Sequence, residues 1–366
     1  MLQDYIPDEK FNFHKLNNTY KEILLEGFFG RGECTFHTSG MCGEIFLFDY
    51  GANSFPRHTC IKLPKPIAGV SKEESARRFV RELELQLSFY HNRFVHWAFD
   101  FDSFFDIPIA SFKYWGNDLA NLIRTAQLSQ VSKYSLLFYI CIGLRHCYRR
   151  GLIAHQDLKP ANIFIQNIKN DVVGLPNLDI YDFAIIADFG LANASIDCGI
   201  YDGSRPYMAP EQWKKLRLTQ ATDVFALGVI FYELITNGYH PVGIKLSDFW
   251  PKAQHGNSGK WTKKDKWEKW IKNDCKIELL EDGVSINETV FKFIKRMLSV
   301  EPSLRPSIDD TIQFLLNQIN DISTESCFQL KFLVNHFEVE SSKTSDLQVD
   351  WPDLFKKWKE FKERFK

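Results

Sequence analysis

The spacing of apolar positions changes part-way along the chain. In residues 44–50 and 58–63, short runs rich in β-branched and aromatic residues are set off by glycines, a pattern that predicts strands. Residues 71–90 are charged and carry their apolar positions at helical spacing, which predicts a helix. The first third is therefore expected to form a small α+β unit. From about residue 117 onward the helical period dominates, with 132–149 and 223–236 as the strongest segments. No internal repeat and no Pro- or Ser-rich linker interrupts the sequence, so it reads as one globular assembly with decorations at its ends.

Composition narrows the function classes. With 366 residues, 45% of them hydrophobic, the chain can bury a substantial core. Lys+Arg 45 against Asp+Glu 46 leaves a net charge of -1, so no overall field draws the chain to nucleic acid or an anionic membrane. The eight cysteines form no Cys-x-x-Cys pair and no zinc-finger spacing, and are read as free thiols in a reducing compartment. Asp4, Asp8 and Glu9 near the start have no apolar run behind them, unlike a secretory signal. Apolar stretches such as 225–232 are too short to span a bilayer. The expectation is a cytoplasmic protein without a transmembrane segment.

The chemistry is concentrated in two short stretches. His155-Gln156-Asp157-Leu158-Lys159-Pro160-Ala161-Asn162 leads into the apolar run Ile163-Phe164-Ile165, and Ala187-Asp188-Phe189-Gly190 follows. These segments resemble the catalytic loop and the metal-binding loop of eukaryotic-type serine/threonine protein kinases. Phosphoryl transfer requires a carboxylate to orient the attacking hydroxyl, and a second carboxylate with an amide oxygen to hold magnesium against the phosphates. The resemblance gives Asp157 the first role and Asp188 and Asn162 the second. An isolated Asp-Phe-Gly is ordinarily a turn, and Asp182-Phe183-Ala184 is a partial copy. Asp188 is preferred because Ile185-Ile186 forms an apolar approach to it and Gly190 permits a tight turn.

The resemblance extends in order along the chain. Residues 203–211 are similar to the end of a kinase activation segment, 223–228 to the start of the buried helix beneath it, and Arg305 to the arginine that pairs with the segment's glutamate, here Glu211. In the small unit, Lys62 resembles the strand lysine that contacts the α- and β-phosphates, and Glu82 its helix partner, with Glu84 as a rival. Gln86 stands where the family usually has an apolar residue. The glycine-rich loop is represented by Gly40 and Gly43 without the first glycine of the pattern, and Gly30-Arg31-Gly32 competes for that role. The resemblance also places Ile45, Cys60 and Phe164 at the nucleotide. It implies the two-lobed α+β kinase fold, with ATP and Mg2+ as cofactors, Mn2+ as an alternative metal, and a protein substrate.

Several departures carry information. Gln156 replaces the arginine that normally precedes the catalytic aspartate and receives a phosphorylated activation segment, so a bidentate phosphate contact cannot form there. Activation independent of segment phosphorylation is the expectation. The stretch from Asn162 to Asp188 is longer than the family norm, which predicts an extra surface loop at about 167–179. Lys159 and Ser204 match the serine/threonine members and point to alcohol rather than phenol substrates.

The expected organisation is an N-terminal extension at 1–20, a kinase domain at 21–320 with lobes meeting near 115, and a helical extension at 321–366. The lysine- and tryptophan-rich stretch 245–276 reads as an amphipathic helix covering the large lobe, with a docking partner there or at the tail as the sharper alternative. In the tail, Trp351, Leu354, Phe355, Trp358, Phe361 and Phe365 share one side, and packing on the kinase core is favoured over membrane contact. Competing functions are a pseudokinase scaffold, a small-molecule phosphotransferase, and a nucleic-acid-binding adaptor. Lys62, Asp157, Asn162 and Asp188 are all retained, which favours an active enzyme.

Overall fold

A computed structural model describes residues 12–39, 43–66, 69–90, 92–169, 172, 174–251, 261–278, 286–342 and 347–366. In chain order the elements begin with α1 (Asn18–Phe29), β1 (Glu33–Ser39), β2 (Gly43–Asp49), β3 (His58–Pro64), α2 (Lys72–Ser88), β4 (Ala98–Phe104) and β5 (Ile107–Lys113). They continue with α3 (Leu119–Thr125), α4 (Gln130–Arg149), β6 (Ile163–Asn167), β7 (Asp182–Ile186), α5 (Ala194–Asp197), α6 (Pro210–Trp213) and α7 (Gln220–Ile235). The remainder is helical: α8 (Asp265–Lys272), α9 (Glu288–Met297), α10 (Ile308–Ile322), α11 (Thr324–Ser342), α12 (Leu347–Asp350) and α13 (Pro352–Arg364). Two compact units result, one within Met1–Tyr90, His96–Tyr114 and Ser342–Lys366, the other within His91–Val95 and Trp115–Ser341.

The first unit is built on an antiparallel five-stranded sheet in the order β1-β2-β3-β5-β4. Alternation along the strands divides its side chains between two faces. Phe46, Phe48, Ile61 and Leu63 pack with Phe13, Leu25 and Cys34 on one side. Cys60, Ala110 and Phe112 meet Phe79, Val80, Leu83 and Leu87 of α2 on the other. Ser71 caps α2, its hydroxyl accepting from the Glu74 amide at 3.1 Å, so the charged stretch begins as a helix at Lys72.

Helix α1 lies in a region the apolar spacing did not single out. Its signals are at the ends: Asn17 accepts from the Tyr20 amide at 3.0 Å, and Gly30 closes the helix with φ 69°. Glu26 and Glu22 accept from the amides of Cys34 and Phe36 at 2.7 and 2.6 Å, so α1 satisfies donors of β1 at the sheet edge. Gly30 is thus a helix terminator, and Gly30-Arg31-Gly32 precedes β1 rather than joining β1 to β2. The competing assignment of the glycine-rich loop falls with it.

The second unit is mainly helical around the buried α4 and α7. α7 begins at Gln220, earlier than residue 223, because Thr219 and Thr222 form a capping box that starts the helix there. α4 begins at Gln130, capped by Ser129. The β6-β7 hairpin pairs Ile163 with Ile186 and Asn167 with Asp182. Asp182 and Phe183, the partial copy, are strand residues within β7. The loop between these strands includes residues 170, 171 and 173, which lie outside the described residues, and its described positions 174–179 are exposed or half-buried. Trp267 and Trp270 of α8 turn inward, with rings 5.2 and 4.8 Å from that of His240. Residues 252–260 of the lysine-rich stretch lie outside the described residues.

Candidate active site

In the first unit the sheet delivers a buried ion pair. Lys62 on β3 is opposite Ile45 on β2 and Ala110 on β5, so Ile45, Cys60 and Lys62 share one sheet face. Lys62 Nζ reaches Glu82 Oε1 of α2 at 2.5 Å, and both residues are buried. The rival Glu84 is exposed and pairs instead with Lys362. Burial holds the Cys60 thiol up at about 12, so it packs as a protonated group rather than a thiolate.

Gly43 starts β2 opposite Pro64. A Cβ there would stand 2.8 Å from the Leu63 carbonyl oxygen and 3.4 Å from Lys62 Cε, which only glycine avoids. Gly40 lies outside the described residues.

In the second unit four residues form one hydrogen-bonded cluster. Asp157 Oδ1 accepts from the Ser204 amide at 2.7 Å, and Oδ2 accepts from Lys159 Nζ at 2.8 Å. Lys159 Nζ also donates to Ser204 Oγ at 2.8 Å. Asn162 Nδ2 donates to the Asp157 carbonyl at 2.9 Å and to its Oδ2 at 3.3 Å. Asn162 thereby commits its nitrogen to Asp157, and the atom it can offer a cation is the carbonyl oxygen. The close approach at Ser204 depends on Gly203, where a Cβ would meet the Gln156 carbonyl oxygen at 2.7 Å.

The β6-β7 hairpin brings the second carboxylate to this loop. Phe164 on β6 pairs with Ile185, and the Ala187 amide donates to the Asn162 carbonyl at 2.9 Å, one residue before Asp188. Asp188 is exposed and left-handed, at φ 60°. Phe189 beside it is buried, its ring 4.8 Å from that of His155. Asp188 and Asn162 both carry hard oxygen atoms, the donor type that would hold a magnesium ion.

Some structural supports were not legible from the motifs. The carboxylate of Asp223, at the base of α7, accepts from the backbone amides of His155 at 2.8 Å and Gln156 at 3.2 Å, and from the Tyr148 hydroxyl at 2.9 Å. Burial raises its pKa, while those donors pull the other way. Gln156, left-handed at φ 67°, ties the following segment through both ends of its amide. Its Oε1 accepts from the Ser195 amide at 2.8 Å, and its Nε2 donates to the Ile200 carbonyl at 3.0 Å. Sequence spacing identified what Gln156 lacks, but its partners are main-chain groups and leave no residue-type signal.

A family model described as the protein kinase domain matches residues 57–315. The chain is 26% identical over 270 residues to the mitogen-activated protein kinase pmk-2 of Caenorhabditis elegans, covering 65% of this chain and 61% of that protein. It is also 26% identical over 209 residues to the probable serine/threonine-protein kinase nek2 of Dictyostelium discoideum, covering 54% of this chain and 42% of that protein. A further relative is the sensor for unfolded proteins in the ER ire1 of Schizosaccharomyces pombe, 29% identical over 235 residues, covering 56% of this chain and 19% of that protein. The chain therefore spans less than two thirds of these relatives. It belongs to the protein kinase family, and its sheet-based first unit and helical second unit make up the two-lobed α+β kinase fold.

Proposed function

We propose that the chain transfers the γ-phosphate of ATP to serine and threonine hydroxyls of protein substrates. The observation that carries this reading is the cluster in which Asp157, Lys159, Asn162 and Ser204 are joined by hydrogen bonds of 2.7–3.3 Å. In the proposed reaction the substrate oxygen forms a bond to the γ-phosphorus as the bond to the β-phosphate bridging oxygen breaks. ADP leaves, and Asp157 accepts the hydroxyl proton. Lys159 supplies positive charge beside the transferring group, and Ser204 holds both residues in register. Lys62, fixed by Glu82, is assigned to the α- and β-phosphates. Gly40 and Gly43 are assigned to the phosphate loop, and Ile45, Cys60 and Phe164 to the base. Asn162 and Asp188 would hold magnesium, with manganese as a substitute. The bound ion would neutralise phosphate charge.

The serine/threonine preference is supported by Lys159 and Ser204 and by the similarity to nek2, a probable serine/threonine-protein kinase. Competence without segment phosphorylation is supported by the Gln156 contacts, which give the segment neutral ties in place of a phosphate-dependent one. No helix among the described residues is long and apolar enough to cross a membrane. The kinase domain is assigned to residues 21–320, with extensions at either side.

The test is transfer of labelled phosphate from ATP to a generic protein, with and without magnesium, followed by phosphoamino-acid analysis. Metal-dependent phosphoserine or phosphothreonine that disappears in Asp157→Ala and Asp188→Ala is the expected result. No transfer by the wild type, or undiminished transfer by either variant, would refute the reading. Mainly phosphotyrosine would refute the specificity.

A further inference from the structure

Helix α13 completes the core behind α2. Trp358 and Phe361 are buried in one cluster with Phe79, Val80, Leu83 and Leu87 of α2 and with Phe101 of β4. The Phe101 ring lies 5.0 Å from that of Trp358 and 5.5 Å from that of Phe361. Around this apolar centre, basic groups of α13 meet acidic groups of the unit: Lys357 with Asp100 at 2.7 Å, Lys362 with Glu84, and Arg364 with Asp106 at 2.9 Å. Just before α13, Asp350 accepts from the Tyr90 hydroxyl at 2.9 Å. Hydrophobic burial rimmed by matched charges fixes both the seat and its orientation.

The helix that receives α13 also carries Glu82. Leu83 is the next residue and Phe79 is one turn earlier, so any rotation or withdrawal of α2 that empties the seat moves the carboxylate as well. The Glu82 carboxylate accepts from Lys62 Nζ at 2.5 Å. A displacement of about 1 Å at a positioning group is enough to cost about a hundredfold in rate.

We propose that α13 is a built-in positioning element for phosphate transfer, with Trp358 and Phe361 as the residues that hold α2 so that Glu82 fixes Lys62. The inference rests on the kinase reading, but it also makes a claim about α2 that needs no catalysis to be measured.

The test uses the full chain carrying Trp358→Ala and Phe361→Ala, with initial rates and amide hydrogen exchange measured in parallel. The kcat should fall by about tenfold or more, while KM for the protein substrate stays within about threefold. Amides of α2 should exchange at least about tenfold faster, with those of α4 and α7 unchanged. A synthetic peptide of residues 347–366, added in trans, should recover most of the lost rate, and Trp358→Phe should retain most of it. Unchanged rate, unchanged α2 exchange, or a loss that neither the peptide nor the conservative variant reverses would each overturn the proposal. Absence of transfer by the wild type would instead sink the kinase reading, and the exchange measurement would still decide whether α13 holds α2.

Discussion

Arg305 closes on Glu211 as a two-pronged ion pair, Nη1 to Oε1 at 2.7 Å and Nη2 to Oε2 at 2.8 Å, with both side chains buried. Arg305 spends its other donors on the carbonyls of Ser299 and Ala221, at 2.8 Å each, and of Val300 at 3.3 Å, and Glu211 Oε1 also accepts from the Thr222 hydroxyl at 2.9 Å. Removing one partner leaves the other buried without its counter-charge. Glu211→Ala and Arg305→Ala should each destabilise the chain by about 3–5 kcal/mol, and a Glu211→Leu/Arg305→Met double variant by less than the sum. Urea unfolding of the three proteins measures this, and a single variant within about 1 kcal/mol of wild type would show the pair to be dispensable.

Lys159 contacts both Asp157 and Ser204, so loss of its ammonium should affect turnover more than nucleotide affinity. Lys159→Met is expected to lower kcat by about 10–100-fold with KM for ATP changed less than about threefold. Ser204→Thr keeps the hydroxyl that Lys159 reaches and should retain most of the rate, whereas Ser204→Ala should not. Full retention of rate in both the Thr and the Ala variant would show that the backbone amide of Ser204 alone matters.

The legible part of the fold was the part written as periodicity. The strands around residues 44–63 and the helix after Ser71 bury one face each, and their apolar spacing records that directly. Helix α1 escaped because it buries little beyond Lys21 and Leu25, so its caps carry the signal rather than an apolar stripe. At the site, the ordered motifs point to the chemistry-bearing residues, with Glu82 as the partner of Lys62 and Glu84 as its rival. Which glutamate reaches Lys62 depends on the rotation of α2 about its axis, fixed by Phe79, Leu83 and the distant Trp358. A contact between residues so far apart in sequence has no local trace.

Glu233 of α7 is buried and accepts from the Tyr207 hydroxyl at 2.8 Å, next to the segment that carries Ser204. Burial raises its carboxyl to about 8, with the Tyr207 bond opposing. The folded chain therefore holds this proton more tightly than the unfolded chain. Its contribution to stability is full below the unfolded value near 4.5 and is lost as pH rises through about 8. Glu233→Gln cannot titrate, so its Tm relative to wild type should climb between pH 5 and 8.5. Parallel curves for the two proteins across that range would mean that Glu233 is ionised in the fold at neutral pH.

Gln156 holds the segment after Gly190 by the two ends of its amide, at Ser195 and at Ile200, without a charge on either side. In kinases switched through this segment, an added phosphate orders it by bonding to basic groups, foremost the arginine that Gln156 replaces. Arg205, the nearest substitute, donates to the Thr262 carbonyl. On the proposed reading, the order that phosphorylation confers elsewhere comes here from the amide hydrogen bonds of Gln156 to the main chain, which are independent of the side chains at 195 and 201. The Ser195→Ala/Tyr201→Phe double variant keeps the Ser195 amide and the Ile200 carbonyl, so it should retain activity within about threefold of wild type, as should phosphatase-treated enzyme. Gln156→Ala removes both ties, leaves their main-chain groups to water, and should cut the initial rate by about tenfold while speeding proteolysis between 194 and 203. A loss of more than about tenfold on phosphatase treatment, equal to about 1.4 kcal/mol in the barrier, would place control back on phosphorylation and remove this role from Gln156.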